Sequence, residues 1–146
     1  MDFEETILIA ATPEQVYERA ADLERYSDLA NQYRESRILS KGDGSAVVER
    51  HARIAGLPLK WRSDARFFPP ERVEFVQTSG PLRGMRTVWT IAADSDQTRL
   101  TIVHRLAPAP GPLGDWVARA VYRLFVRKLA LEIMGNVKAS VQAQAG

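Results

Sequence analysis

The hydrophobic and polar positions of this chain change period twice. The segment "EETILIAATPEQVYERAADLERYSDL" opens with an alternating run, Glu5 to Ala11, in which Thr6, Leu8 and Ala10 alternate with Ile7 and Ile9. That alternation predicts a strand. The "TPEQ" that follows predicts a helix start, with Thr12 as N-cap, Pro13 as the first helical residue and Gln15 as the capping-box partner. Val16, Tyr17 and Ala20 give this helix its apolar side, and Asp22 is placed to cap a second short helix through "LERYSDL".

From residue 33 to 107 the period falls from about 3.6 to about 2. The turn-forming stretches "KGDGS" (41–45), "AGLP" (55–58), "FPPE" (68–71), "SGP" (79–81) and "ADSDQ" (93–97) divide this region. Between them lie "YRESRILS", "AVVERHARI", "LKWRSDARF", "RVEFVQT", "RGMRTVWTI" and "TRLTIVHRL". Six strands joined by short turns predict an antiparallel meander, and the first strand makes a sheet of seven. "LAPAPGPLGD" ends the sheet, because proline donates no hydrogen bond to a ladder. The final "DWVARAVYRLFVRKLALEIMGNVKASVQ" has no proline and predicts one helix of about 28 residues, about 42 Å long. Its apolar coverage is broad: Trp116, Ala120, Leu124, Leu131 and Met134, with Val117, Val121 and Phe125 alongside.

The 146 residues suit a single domain, 1–146, large enough to fold without a metal or a crosslink. There is no cysteine, which excludes disulfides, thiolate metal sites and cysteine nucleophiles, and which fits a cytoplasmic protein. The start "MDFEETILIA" is acidic and lacks the basic, then apolar, pattern of a signal peptide. No apolar run reaches the ~18 residues of a transmembrane helix, so any membrane contact is expected to be peripheral. Twenty Lys and Arg oppose eighteen Asp and Glu, a net charge of +2, so the basic excess of a nucleic-acid binder is missing. No nicotinamide fingerprint, P-loop or nucleophile motif is present, and no cofactor is expected.

The order of strand, two short helices, six antiparallel strands and long helix has a counterpart among known folds. So do "ATPEQVYERAADLERYSDL", "YRESRIL", "SGPL" at 79–82 and the pair "VWTI" and "DQTRLTIVHRL". Together they resemble the START-like superfamily with the helix-grip fold, an α+β architecture. Within it the chain is similar to polyketide cyclase/dehydrase proteins and to the related coenzyme Q-binding proteins. The resemblance implies a curved seven-stranded sheet gripping the C-terminal helix, with a cavity between them. It implies a small hydrophobic partner, such as a lipid, quinone or polyketide-like compound. In the cyclase branch it implies intramolecular aldol ring closure and dehydration on a substrate delivered by a carrier protein.

On this reading Met85, Thr87 and Trp89 face the hollow. Trp61, Phe75, Ile102 and His104 from the sheet, and Trp116, Ala120, Leu124 and Met134 from the helix, complete its expected wall. The plainer alternative for Trp89 is simple packing against the helix. Resemblance to aromatase/cyclases also implies catalytic roles for Arg66, in "SDARFFPP", and for Tyr33, opening "YRESRIL". A fixed guanidinium would stabilise the oxyanion of ring closure. Simple alternation, however, places Arg66 with Lys60, Arg62 and Asp64, opposite Trp61, Ala65 and Phe67. A bulge between Trp61 and Arg66 would turn it inward. The family's second cavity arginine has no match in "RVEFVQT".

There are two histidines on different strands and no HExxH-type spacing, so no metal site is expected. His104 shares parity with Leu100, Ile102 and Leu106. It is either a core histidine or a hydrogen-bond donor, acid or base toward a ligand. His51 alternates with Glu49 and Arg53 on a solvated face. Arg119, Arg123 and Arg127 recur every four residues on the last helix. They form either a solvated stripe or a basic surface for anionic lipid or a protein partner. Gly135 either lets a loop approach over the cavity mouth or is a tolerated irregularity.

Overall fold

A computed structural model describes the chain apart from Ala55, Ala109, Gly146 and the Ala145 side chain. Seven strands form one antiparallel sheet: β1 (Asp2–Ile9), β2 (Tyr33–Gly42), β3 (Ser45–Ile54), β4 (Leu57–Phe68), β5 (Arg72–Gln77), β6 (Arg86–Asp94) and β7 (Gln97–Arg105). Their order is β1-β7-β6-β5-β4-β3-β2, a meander with the first strand returned to pair with the last. The turn at 55–58 and the proline-rich segment at 106–115 each contain one residue outside the described set.

β1 begins earlier than its hydrophobic alternation indicates. Asp2 pairs with Arg105 and Ile9 with Thr98 across the ladder, so β7 supplies partners along the whole length. The adjacent carboxylates Glu4 and Glu5 hide this start in the sequence. Glu4 is exposed, whereas Glu5 shares the inner face with Phe3, Ile7 and Ile9.

Helix α1 (Pro13–Ala21) starts as the "TPEQ" pattern predicts. The Gln15 amide donates to the Thr12 hydroxyl at 3.2 Å, and the Thr12 amide donates to Gln15 Oε1 at 2.9 Å. A 3-10 helix, Leu23–Asp28, follows directly. The Asp22 side chain makes no cap there; it lies 3.6 Å from Arg25 in an exposed ion pair. This short helix serves mainly to bury Tyr26, whose hydroxyl donates to the Ala20 carbonyl at 2.5 Å. Burial first, with no comparable compensation, pushes that phenol well above its usual range.

The C-terminal helix runs as α2 (Gly114–Val121), a π-helical turn (Tyr122–Val126) and α3 (Arg127–Ala145). Its inward line is Ala118, Tyr122, Val126, Ala130, Ile133, Met134, Val137 and Val141, all buried. Trp116 and Leu124 are 68% and 59% exposed, so the helix is turned away from the expected line through Trp116, Ala120 and Leu124. Apolar residues occur nearly all the way round this helix, and the period alone does not set its phase. At one end Val137 and Val141 pack into the same core as Ile9, Val16, Ala20 and Leu100. That end is solid.

On the outer face of the sheet, Glu49 is only 1% exposed, yet it lies among cations. Arg62 Nε donates to it at 2.9 Å and His51 Nε2 at 3.1 Å, while Arg37 and Lys60 approach within 3.2 and 3.7 Å. The His51 hydrogen bond, then that of Arg62, pulls the carboxyl from 4.5 down to about 2. A folded value below the unfolded one means the pairing stabilises the fold above pH 4.5 and is lost as pH falls toward about 2. Denaturant unfolding across that window should show the wild type losing stability faster than Glu49→Gln. Parallel curves would mean that Glu49 does not carry this ionisation.

Candidate functional site: a cavity between sheet and helix

At the other end of the helix the space against the sheet is not filled. A cavity of about 400 Å³ lies between the concave face and the segment Val121–Ile133. The helix presents Val126 and Ala130 to it, and side chains this short do not reach across to Phe75 and Trp89. The exposed Leu57, Pro81 and Phe125 belong to the same wall, which places the opening between the β3–β4 turn, the β5–β6 loop and the π-helical turn.

The sheet contributes most of the expected wall. Trp61, Phe75, Thr87, Trp89, Ile102 and His104 line the cavity, as does Met85, which sits just before β6. Tyr33 lines it too. Trp89 is a wall residue and a packing residue at once, its ring 5.6 Å from that of Tyr26. Alternation places these side chains together because the β4–β5, β5–β6 and β6–β7 registers put Ala65 opposite Phe75, Phe75 opposite Thr87 and Trp89 opposite Ile102.

The helix contributes different residues from those expected. Trp116, Ala120 and Leu124 lie off the wall, and Met134 is buried in the solid part of the core. Val121, Phe125, Val126, Leu129, Ala130 and Ile133 take their place. Arg66 is also elsewhere. It is exposed on the outer face, opposite Ser45 and Glu74, and the β3–β4 register is regular through it. With no bulge between Trp61 and Arg66, alternation sends the guanidinium outward. Gly135 is exposed, and a Cβ there would touch nothing within 4 Å, so no loop approaches the helix through it. In contrast, a Cβ on Gly80 would lie 2.7 Å from Trp61 Cβ, and its φ of +89° suits glycine. That close approach seats the β5–β6 loop against the cavity tryptophan.

A charged wall residue went unnoticed in the sequence. Arg50 on β3 is 8% exposed and shares the inner face with Val48 and Ala52. Its guanidinium lies 4.4 Å from the Tyr26 ring centre, 5.1 Å from Phe75 and 5.6 Å from Tyr33. Nη1 donates to the Tyr33 hydroxyl at 3.4 Å, a long bond. Nε and Nη2 are buried without a hydrogen-bond partner among the described residues. In "VVERHARI" Glu49, His51 and Arg53 read as the solvated face, and the parity of Arg50 with Val48 and Ala52 was the signal that pointed it inward.

His104 is buried beside the Tyr122 ring, with centroids 5.8 Å apart, and its Nδ1 has no hydrogen-bond partner among the described residues. Burial pushes its imidazole down to about 4, opposed by the more distant Glu5 carboxylate. Glu5 itself accepts from Tyr122 Oη at 3.0 Å and from Arg127 Nε at 2.9 Å. Within the arginine stripe Arg127 is paired, while Arg119 and Arg123 border a shallow groove with Asp2, Glu4 and Glu5. His51 lies on the outer face with Glu49. Among the described residues, no group of three potential metal ligands comes together.

A curved antiparallel meander gripping a long helix around a hollow defines the helix-grip, START-like class. Residues 9–133 match the family model described as polyketide cyclase / dehydrase and lipid transport, and the chain belongs to that family. No curated protein matches it at the sequence level. Among solved structures, it is similar to the Zhui aromatase/cyclase from Streptomyces sp. R1128, with a TM-score of 0.87, 23% identity and coverage of 100% of this chain and 96% of that one. The di-domain ARO/CYC StfQ of the steffimycin biosynthetic pathway gives 0.86 at 17% identity, covering 99% of this chain and 52% of that one. A START superfamily protein from Mycobacterium smegmatis gives 0.76 at 18% identity, with 98% of both chains covered. Identities this low establish the fold. Among the described residues, no helix is long and apolar enough to cross a membrane.

The low His104 value has a direct readout. An imidazole held near 4 when folded and 6.5 when unfolded is neutral in both states above pH 6.5; as pH falls from 6.5 toward 4 only the unfolded state takes up the proton, so the fold loses stability across that window. An NMR titration should find the His104 ring neutral until close to pH 4. A midpoint near 6.5 would mean that water reaches the ring freely.

Proposed function

We propose that the protein binds a small hydrophobic molecule, of lipid, quinone or polyketide type, in the cavity between sheet and helix. The observation that carries this reading is the hollow of about 400 Å³ with an almost entirely apolar and aromatic wall and an opening to solvent. Proteins hold drug-sized ligands in pockets of about 300–1,000 Å³ with this kind of lining. Transfer of apolar surface from water supplies about 25 cal/mol per Å² buried, and the few polar groups set orientation. Membership of a family whose description includes lipid transport supports the same reading.

A second reading, polyketide ring closure on a carrier-delivered substrate, is favoured by the placement of Arg50 beside Tyr33 inside the cavity. There Arg50 replaces the outward Arg66 as the group that stabilises a ketone oxyanion, Tyr33 supplies a proton and His104 is the candidate base. Addition of the enolate carbon to the ketone forms the ring bond, and loss of water completes the step. The neighbours described as aromatase/cyclases give this reading its precedent.

Solvent extraction of the purified protein, followed by mass spectrometry, should release a hydrophobic molecule near one equivalent. Thr87→Trp, which fills the hollow, should weaken binding of the neutral dye Nile red by about tenfold or more with the fold retained. Undiminished dye binding would place the site elsewhere. Arg66→Ala should leave binding unchanged. For ring closure, co-expression with a minimal polyketide synthase should shift the products, and Tyr33→Phe should reduce the shift. An unchanged product spectrum with the wild type would remove the second reading.

A further inference from the structure

Among the described residues, Arg50 is a cation without an anion. Its neighbour in sequence, Glu49, faces the opposite side of the sheet and is engaged by Arg62, His51, Arg37 and Lys60. Among the described residues the cavity wall contains no Asp or Glu at all. A guanidinium stays charged in proteins, and burying a charge without a counterion is costly. Three aromatic faces offset part of that cost, since the face of a ring attracts a desolvated cation. They do not use the N–H groups.

The unused nitrogens are specific. Nη1 points to Tyr33, whereas Nε and Nη2, the two on one edge of the guanidinium, are the buried pair without partners. That edge is the fork that holds a carboxylate through two parallel N–H···O bonds. We propose that Arg50 is the anchor for the head of an amphipathic carboxylic acid, whose apolar body fills the cavity toward Trp89 and Ile102. This assignment rests on the ligand-binding reading above and narrows it to an anionic ligand class. In the unliganded structure both nitrogens are closed off from the cavity, so the carboxylate engages them as the guanidinium swings out from among the Tyr26, Tyr33 and Phe75 rings.

The residue's own stability signature should follow. Removing one member of a buried ion pair is destabilising because it strands the other charge, and Arg50 has no such partner to strand among the described residues. The ligand-free Arg50→Met protein should therefore melt no lower than the wild type, which is the opposite of what a structural ion-pair partner would show.

The test is displacement of Nile red at pH 7.5 by dodecanoic acid and by its methyl ester, which share a body and differ in charge. In the wild type the acid should bind about tenfold or more tightly than the ester. In Arg50→Met the preference for the acid over the ester should vanish. Arg50→Lys, which keeps the charge and loses the fork, should retain only part of it. Equal binding of acid and ester by the wild type would overturn the assignment while leaving the cavity reading intact. That comparison needs no variant to fold. Failure of both probes to bind would overturn the cavity reading and this assignment with it.

Discussion

A single helix cannot fill the concave face of a seven-stranded sheet along its whole length, and the rest of the molecule follows from that mismatch. Where the helix carries Ile133, Met134, Val137 and Val141, helix α1 lies alongside and the core is solid. Where it carries Val126 and Ala130, the sheet curves away and faces it with Phe75 and Trp89 across open space. Large aromatic side chains on the sheet do not close the gap. They line it instead. The π-helical turn at Tyr122–Val126 falls at this level, where such irregular turns are frequently associated with function.

The polar residues of the cavity are held by its aromatic framework. Tyr26 is fixed by its bond to the Ala20 carbonyl, and its ring supports both Trp89 and the Arg50 guanidinium. The 3-10 helix after α1 is thus part of the site, because it delivers Tyr26 beneath the cation. His104, at another part of the wall, is kept neutral by burial and linked through Tyr122 to the half-buried Glu5. The site holds one permanent cation, one neutral imidazole and several hydroxyls in an apolar setting. That composition favours an amphipathic ligand over a purely hydrocarbon one.

The charges on the outside have a different logic. Glu49 gathers cations across β2, β3 and β4, while Arg127, Glu5 and Tyr122 tie the helix to the first strand. Adjacent residues of β3 thus serve opposite surfaces: Glu49 organises the outer face and Arg50 the cavity. A shift of one residue in that strand would exchange them.

Local chemistry in the sequence was enough for most of the architecture. The Thr12–Gln15 capping box, the turns dividing the strands and the proline break before the helix are each read from a few neighbouring residues. Alternation also placed Trp61, Phe75, Trp89 and His104 on one face, because the strand period of two relates side chains without reference to the rest of the fold. Three features needed the tertiary structure. The phase of the C-terminal helix was set by the sheet, since apolar side chains nearly encircle that helix and left Trp116 and Leu124 as plausible as Val126 and Ala130. The Arg66 position depended on whether β4 bulges, and the regular β3–β4 ladder decided it. Arg50 was not singled out in the sequence, where it stands between Glu49 and His51 of a solvated face; only the three rings brought over it from distant segments make it a buried cation, because burial is a property of what folds against a residue and not of its neighbours in the chain.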